Sequence, residues 1–259
     1  MKHLVYCIYQ KESSRSAGKS LKGVDGHSVH DVEAGDLAAA VSCVSVPVVS
    51  PNIARVTRYH AVIAHFHRCC TVIPLRFGAL LDSELDVERL LQNQRTRYHK
   101  LLEELQGGIE MGIRVMVPDR KLSPETLLPS AKSYSSETRT PGQSYLACRK
   151  ARYVEGSLMA ERNAKDITLY IEPFAGMYSK TKSEISRVRQ NSYEPEQSTL
   201  LSLYFLIPKD SLGDFRRAFG RLKLHAPAKM LLSGPWPPYN FVLPSDSPPQ
   251  DSGRLSPRT

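Results

Sequence analysis

One stretch constrains the fold of this chain more than any other, residues 234–242, which read Gly-Pro-Trp-Pro-Pro-Tyr-Asn-Phe-Val. It contains the single tryptophan of the sequence and three of its 18 prolines. Because each proline fixes φ and removes a backbone donor, no ordinary helix or strand accepts this density. We therefore expect a rigid, extended segment, here called the strap, that presents Trp236, Tyr239 and Phe241. Either it forms a docking surface for a partner, or its rings pack against their own domain, which the usual burial of large aromatic side chains favours.

The bulk composition limits the possible classes of protein without choosing one. A chain of 259 residues with 41% hydrophobic content can form one or two domains with ordinary cores. Its formal net charge of +9 would permit contact with nucleic acid, anionic lipid or acidic proteins. Much of the excess lies in polar stretches such as Lys11–Lys22 and Lys180–Arg189, which look flexible. A solvated basic surface is therefore the favoured interpretation.

The cysteines and the apolar runs indicate a reducing cytoplasm. The odd number of cysteines and their irregular spacing argue against a disulfide framework. The first apolar run, Leu4–Tyr9, is too short for a signal peptide or a membrane span, and no apolar run approaches 18 residues. We expect no membrane association. The five cysteines are Cys7, Cys43, Cys69, Cys70 and Cys148.

The first half of the sequence predicts an α+β layer, in which sequential helices cover one face of a mostly antiparallel sheet. Ser50 is the expected cap of the first helix and Pro51 its first residue. The next helix is expected to run unbroken from Ser83 to Gln106, where two glycines follow. The predicted strands are Leu4–Tyr9, a hairpin formed by 29–33 and 37–46, and 109–117.

The second half predicts a linker at residues 119–142 and a smaller α+β domain. A helical arm is expected between Tyr145 and Arg189. Residues 166–178 fit a helix, although Ile167, Leu169 and Ile171 equally fit a strand. The predicted later elements are a strand at 200–207, a helix at 210–224 and a strand at 228–232. The predicted divisions are an N-terminal domain at 1–118, a linker at 119–142, a C-terminal domain at 143–243 and a disordered tail at 244–259.

Several motifs that could support chemistry fail on spacing. A metal-dependent enzyme could use His60, His67 and Cys69, but no four-ligand zinc spacing is present. The favoured interpretation is that the two histidines border the apolar stripe of their helix. Residues 18–20 (Gly-Lys-Ser) lack the earlier glycine of a phosphate-binding loop. A basic nucleic-acid-binding protein is a further alternative, but no recognised reading motif is present.

A short segment, residues 72–78 (Val-Ile-Pro-Leu-Arg-Phe-Gly), holds an arginine in a tight loop. Arg76 could grip a carboxylate or a chain terminus, because a guanidinium suits bidentate pairing. The favoured alternative is structural, with Arg76 tying its loop to a neighbouring helix.

Four stretches match a known family pattern in order. They are the opening strand, the helix from Ile53 with residues 72–78, Tyr145 through Arg149, and residues 204–208 with Phe215 and the strap. Through these motifs the chain resembles the gas vesicle accessory proteins of the GvpL/GvpF family. The resemblance implies a ferredoxin-like N-terminal domain and an α+β C-terminal domain.

The resemblance also implies a function. Such accessory proteins serve the assembly of gas-filled, protein-walled buoyancy organelles, as adaptors, chaperones or minor vesicle components. The expected partners are the hydrophobic shell protein and other accessory proteins, with no nucleic acid, small-molecule substrate, cofactor or metal, and no enzymatic activity. The expected location is the gas vesicle, in the cytoplasm. The candidate partner-binding residues are Arg76, Phe77, Trp236 and Tyr239.

Overall fold

Two antiparallel sheets with helices packed against them form the α+β fold of this chain. The computed structural model describes residues 1–11, 21–45, 49–118, 167–189, 197–226 and 228–242. The strands are β1 (Lys2–Gln10), β2 (Val29–Ala34), β3 (Leu37–Val44), β4 (Val72–Pro74), β5 (Leu80–Leu81), β6 (Gly108–Pro118), β7 (Lys180–Arg189), β8 (Gln197–Pro208) and β9 (Lys229–Trp236). The helices are α1 (Ile53–Cys69), α2 (Glu84–Asn93), α3 (Arg95–Leu105) and α4 (Leu212–His225).

The first sheet has the order β2-β3-β1-β4, with β5 also paired to β1. Its central strand was predicted from an apolar run, and every residue from Leu4 to Tyr9 is buried. Both faces are covered, because α1 packs on the Leu4 and Tyr6 side while α2 and α3 pack on the Val5 and Ile8 side. The expected α+β class is confirmed, but the helices lie on both faces of the sheet and not on one.

The helix boundaries differ from the predicted ones in two places. The cap of α1 is Asn52, whose side chain accepts a hydrogen bond from Arg55 N at 2.8 Å, and not Ser50. The long helix predicted from Ser83 is two helices, which meet at Gln94. The break cannot be predicted from the apolar pattern, because the buried residues before and after Gln94 follow one continuous helical period.

The second sheet has the order β7-β8-β6-β9 and is antiparallel throughout. Helix α4 packs on it, and the buried rings of Phe174, Phe205 and Phe215 form a cluster with centroids 4.4 to 5.2 Å apart. Residues 167–171 are helical, as favoured from the sequence. The predicted helical arm is wrong for Lys180–Arg189, which is the edge strand β7.

Strand β6 belongs to the second sheet. It pairs with β8 along its whole length and with β9 on its other side. A boundary at residue 118 therefore does not separate the two sheets, and the division of the chain into domains stays a prediction. The predicted linker, the helix from Tyr145 and the tail lie outside the described residues. No helix in the described ranges is long and apolar enough to cross a membrane.

The strap begins inside a strand and ends in a helical turn. Strand β9 was predicted to end at Leu232, but it continues through Pro235 to Trp236, which pairs with Glu110. Residues 239–241 then form one 3₁₀ turn. The sheet accepts Pro235 because β9 is an edge strand, where a missing donor leaves no ladder bond unmade.

Candidate functional site

Tyr59 and His60, consecutive residues of α1, connect the two parts of the predicted site. The buried Tyr59 hydroxyl donates to the carbonyls of Val5 at 2.6 Å and Arg76 at 3.0 Å. The Phe77 ring meets the Tyr59 ring edge-on, with centroids 5.2 Å apart. Burial raises the pKa of Tyr59 well above its ordinary value, so the hydroxyl stays a donor. The loop of residues 72–78 is thereby fixed to α1.

His60 holds the other part, the strap. Its Nδ1 lies 2.8 Å from the Tyr239 hydroxyl, and its ring meets the Trp236 indole edge-on at 5.1 Å. Burial lowers the pKa of His60 and raises that of Tyr239, so both groups are neutral near pH 7. Trp236 keeps 39% of its surface exposed. The indole thus contacts the His60 ring on its inner side and is open to solvent on the other.

A buried carboxylate fixes the strap from below. Glu110 is only 3% exposed and accepts hydrogen bonds from the Asn240 backbone N at 2.8 Å and Asn240 Nδ2 at 2.6 Å. Burial raises the pKa of Glu110, against the opposing effects of the two Asn240 bonds and of nearby Lys182. Phe241 is buried beside it, with Lys182 Nζ 5.9 Å from its ring centroid. The strap is anchored at several points over a few residues.

The close approach of the strap to β6 requires glycine at position 234. Gly234 has φ of +109°, a region that other residues rarely adopt. A Cβ there would lie 2.6 Å from the Glu110 carbonyl oxygen and 3.0 Å from Met111 Sδ. Any larger residue would push the strap away from the sheet.

The four predicted site residues lie near Tyr59 and His60 and differ in their exposure to solvent. Phe77 and Tyr239 are half-buried, whereas Trp236 and Arg76 are exposed. The loop is tied to α1 by the carbonyl of Arg76 and the ring of Phe77, while the Arg76 guanidinium makes no ion pair with any described residue. The packing interpretation therefore holds for part of the strap, and its role as a docking surface stays a prediction. Tyr239 and Phe241 pack inward, and Trp236 faces outward.

The structure does not gather His60, His67 and Cys69 into a metal site. His60 is engaged by the strap, Cys69 is exposed with its Sγ 3.5 Å from the His65 carbonyl, and His67 is buried. Burial, helped by nearby Lys209, lowers the pKa of His67 to about 4. Among the described residues, a different group of possible metal ligands converges, namely His3, His30 and Cys43.

Sequence reasoning missed the residues that hold the strap. The sequence pattern places His60 only at the border of an apolar stripe, and its partner Tyr239 is 179 positions away. Glu110 lies within an alternating strand pattern that does not distinguish it from its polar neighbours. A carboxylate between Ile109 and Met111 in a predicted buried strand was the available signal, because a buried charge needs hydrogen-bonding partners.

The α+β fold of this chain has solved examples among gas vesicle proteins. The structure is similar to the crystal structure of GvpF from Microcystis aeruginosa, with a TM-score of 0.73, 15% identity, and coverage of 93% of this chain and 98% of that one. The crystal structure of GvpF from Anabaena sp. PCC7120 matches with a TM-score of 0.66, 16% identity, and coverage of 93% and 95%. At these identities the likeness shows the fold alone.

The sequence itself shows the family. The family model described as "Gas vesicle synthesis protein GvpL/GvpF" matches residues 2–243. Gas vesicle protein L1 of Halobacterium salinarum is 23% identical over 255 residues, covering 92% of this chain and 89% of that protein. The chain belongs to the GvpL/GvpF family, and its role is that of a gas vesicle accessory protein.

Proposed function

We propose that this protein is a non-enzymatic adaptor or chaperone of gas vesicle assembly that binds the hydrophobic shell protein. The surface proposed to bind it is formed by Arg76, Phe77, Trp236 and Tyr239. The observation that carries the proposal is the position of Trp236, a large aromatic ring left 39% exposed and supported by His60. Exposed, well-supported tryptophan and arginine side chains are common centres of protein interfaces.

The strand that carries Trp236 supports the same proposal. Strand β9 lies at the edge of the second sheet and also exposes Leu231, so a strand edge and apolar side chains occur together. A shell protein that forms a β-rich wall exposes strand edges and apolar faces before it assembles. An adaptor could cover such an edge by adding it to its own sheet.

The hydrogen bonds beneath the surface make it suitable for binding. Glu110 holds Asn240 in place, and His60 holds Tyr239. A surface that is already ordered loses little conformational entropy when a partner binds. The partner proposed here would meet a fixed aromatic face, with Arg76 free to pair with an acidic group at its border.

Copurification tests the proposal. The tagged protein and the small shell protein are expressed together, and soluble shell protein captured on the tag is quantified. We expect capture that survives about 0.5 M salt, because contacts through an apolar face are weakly screened, whereas capture by the basic surface alone would fall steeply. If a folded protein captures no soluble shell protein, the adaptor proposal for this partner is contradicted.

Other accessory proteins provide a second arm of the same experiment. Each is expressed with the tagged protein in place of the shell protein. Capture of an accessory protein without capture of the shell protein would retain the adaptor role and replace the proposed partner.

A further inference from the structure

We propose that His3, His30 and Cys43 form a binding site for one divalent transition-metal ion, with Zn²⁺ as the best-suited ion. These residues lie on three neighbouring strands, β1, β2 and β3. One ligand atom from each lies within 4.8 Å of the others, and Cys43 Sγ is 3.8 Å from His3 Nδ1. None of the three residues belongs to the proposed partner-binding surface, so the inference does not depend on the proposed function.

The register of the sheet brings the three side chains to one face. His3 and Cys43 are direct cross-strand partners, and His30 lies on the strand beyond Cys43. On each strand a valine that is buried under α2 and α3 lies two positions from the ligand. Because side chains two positions apart share a face of a strand, the three ligands lie on the face that α2 and α3 cover. The three valines are Val5, Val32 and Val41.

The spacing is close to what a tetrahedral ion requires. Bonds of about 2.0 Å to nitrogen and 2.3 Å to sulfur place a nitrogen and a sulfur ligand about 3.5 Å apart. The separation between Cys43 Sγ and His3 Nδ1 is 3.8 Å. The rings of His3 and His30 meet edge-on, at 80° with centroids 6.3 Å apart, so they are not stacked. Side-chain adjustment alone could bring the third ligand into the same shell.

Glu84 supplies the outer carboxylate that metal-binding histidines usually have. Its Oε1 lies 3.0 Å from His30 Nε2 and accepts a hydrogen bond from a protonated Nε2. With Nε2 donating to Glu84, Nδ1 of His30 is the nitrogen left for a metal, and the carboxylate fixes the orientation of the ring. Glu84 begins α2, so a bound ion would connect three strands to this helix.

The donor set selects the class of ion. Two imidazole nitrogens and one thiolate suit Zn²⁺, and Co²⁺ as its spectroscopic substitute, whereas Mg²⁺ and Ca²⁺ prefer oxygen ligands. Three protein ligands leave one tetrahedral position, which water can fill. Binding to the folded chain would stabilise it by mass action.

Metal titration of the full-length, chelator-treated protein tests the site. We expect one Zn²⁺ per chain and a rise in Tm of about 5 °C when Zn²⁺ is at a hundredfold excess over Kd. Co²⁺ should give thiolate-to-metal charge-transfer absorption and the visible bands of a tetrahedral ion. Mg²⁺ and Ca²⁺ should produce neither effect.

Two variants and two controls locate the ion. Cys43→Ser should abolish the charge-transfer absorption, and His30→Ala should lower the affinity at least about tenfold, the size of effect seen when metal-site residues are changed. Cys69→Ser and His225→Ala remove an exposed cysteine and an exposed histidine outside the cluster, and should bind as the unchanged protein does.

Loss of metal binding can be distinguished from loss of folding in each variant. Melting of each variant in the presence of chelator shows whether it folds, and His30 is only half-buried, so its replacement should leave the fold intact. No Zn²⁺ binding by the unchanged protein would overturn the site. Binding that persists in folded Cys43→Ser and His30→Ala, or is lost in Cys69→Ser, would place the ion elsewhere and equally overturn it.

Discussion

His67 is a buried side chain that weakens the fold as pH falls. It is 8% exposed, and neither ring nitrogen has a hydrogen-bond partner within the described structure. Burial, with Lys209 nearby, lowers its pKa from 6.5 to about 4. The unfolded chain therefore takes up a proton near pH 6.5 while the folded chain resists until about pH 4. The free energy of unfolding that neutral His67 allows above pH 6.5 is therefore lost progressively as the pH falls from 6.5 to about 4.

We predict that His67→Leu stabilises the protein, and does so more at acidic pH. At pH 7 the gain should be about 1 kcal/mol, because a buried polar ring without partners is replaced by an apolar side chain. Between pH 7 and pH 5 the advantage should grow by about 2 kcal/mol, since the variant lacks the linked protonation. Urea unfolding at both pH values measures the difference.

The control for this prediction removes a histidine from the surface. His225→Leu, on the exposed last turn of α4, should not reproduce the growing advantage. If His67→Leu and the unchanged protein lose stability in parallel between pH 7 and pH 5, the account of His67 as a buried neutral ring is contradicted.

The strap begins within β9 at Gly234, and its course depends on the backbone conformation of that residue. We predict that Gly234→Ala destabilises the protein by about 2 kcal/mol, a typical cost for a strained backbone conformation. The reasons are the φ of +109° and the 2.6 Å approach of a Cβ to the Glu110 carbonyl oxygen. The midpoint of urea unfolding measures the loss.

A second glycine gives a matched control of opposite sign. Gly220 is exposed in α4, and nothing lies within 4 Å of a Cβ built there. Gly220→Ala should therefore stabilise the protein by about 0.5 to 1 kcal/mol through helix propensity. Equal effects of the two substitutions would show that the junction imposes no special constraint.

The elements that the sequence predicted are those with an apolar period and a clear turn. Strand β1, the β2–β3 hairpin and β8 follow from such patterns, and each is present. Strand β7 was missed because its side chains are mostly polar, as suits an edge strand that buries little of its surface. The break at Gln94 was invisible because the apolar period continues across it. Local patterns also could not show which sheet β6 joins, since pairing is decided by partners far along the chain.

The exposed residues of the candidate site could be predicted from the sequence, but the residues that hold them in place could not. Trp236 and Tyr239 were indicated by composition, because aromatic residues among prolines cannot belong to a regular interior element. The hydrogen bonds of Tyr239 with His60 and of Asn240 with Glu110 depend on tertiary packing across more than 100 positions. The assignment of a partner to this surface stays a proposal.

At the scale of the whole molecule, the strap joins the two sheets. Phe241 and Leu206, from the second half of the chain, are buried in the same core as α2 and α3 of the first half. His60 of α1 and Glu110 of β6 then hold the strap between them. The exposed indole contributes to none of the buried cores in the described ranges, so its removal should change the binding surface without unfolding either sheet.

The most direct test of the central claim is the amount of soluble shell protein captured by Trp236→Ala relative to the unchanged protein. We predict a loss of about tenfold or more, the size expected for a central aromatic contact. Leu224→Ala, which removes an 84% exposed apolar residue on α4, is the matched control and should capture normally. A folded Trp236→Ala that captures as much shell protein as the control would contradict the account.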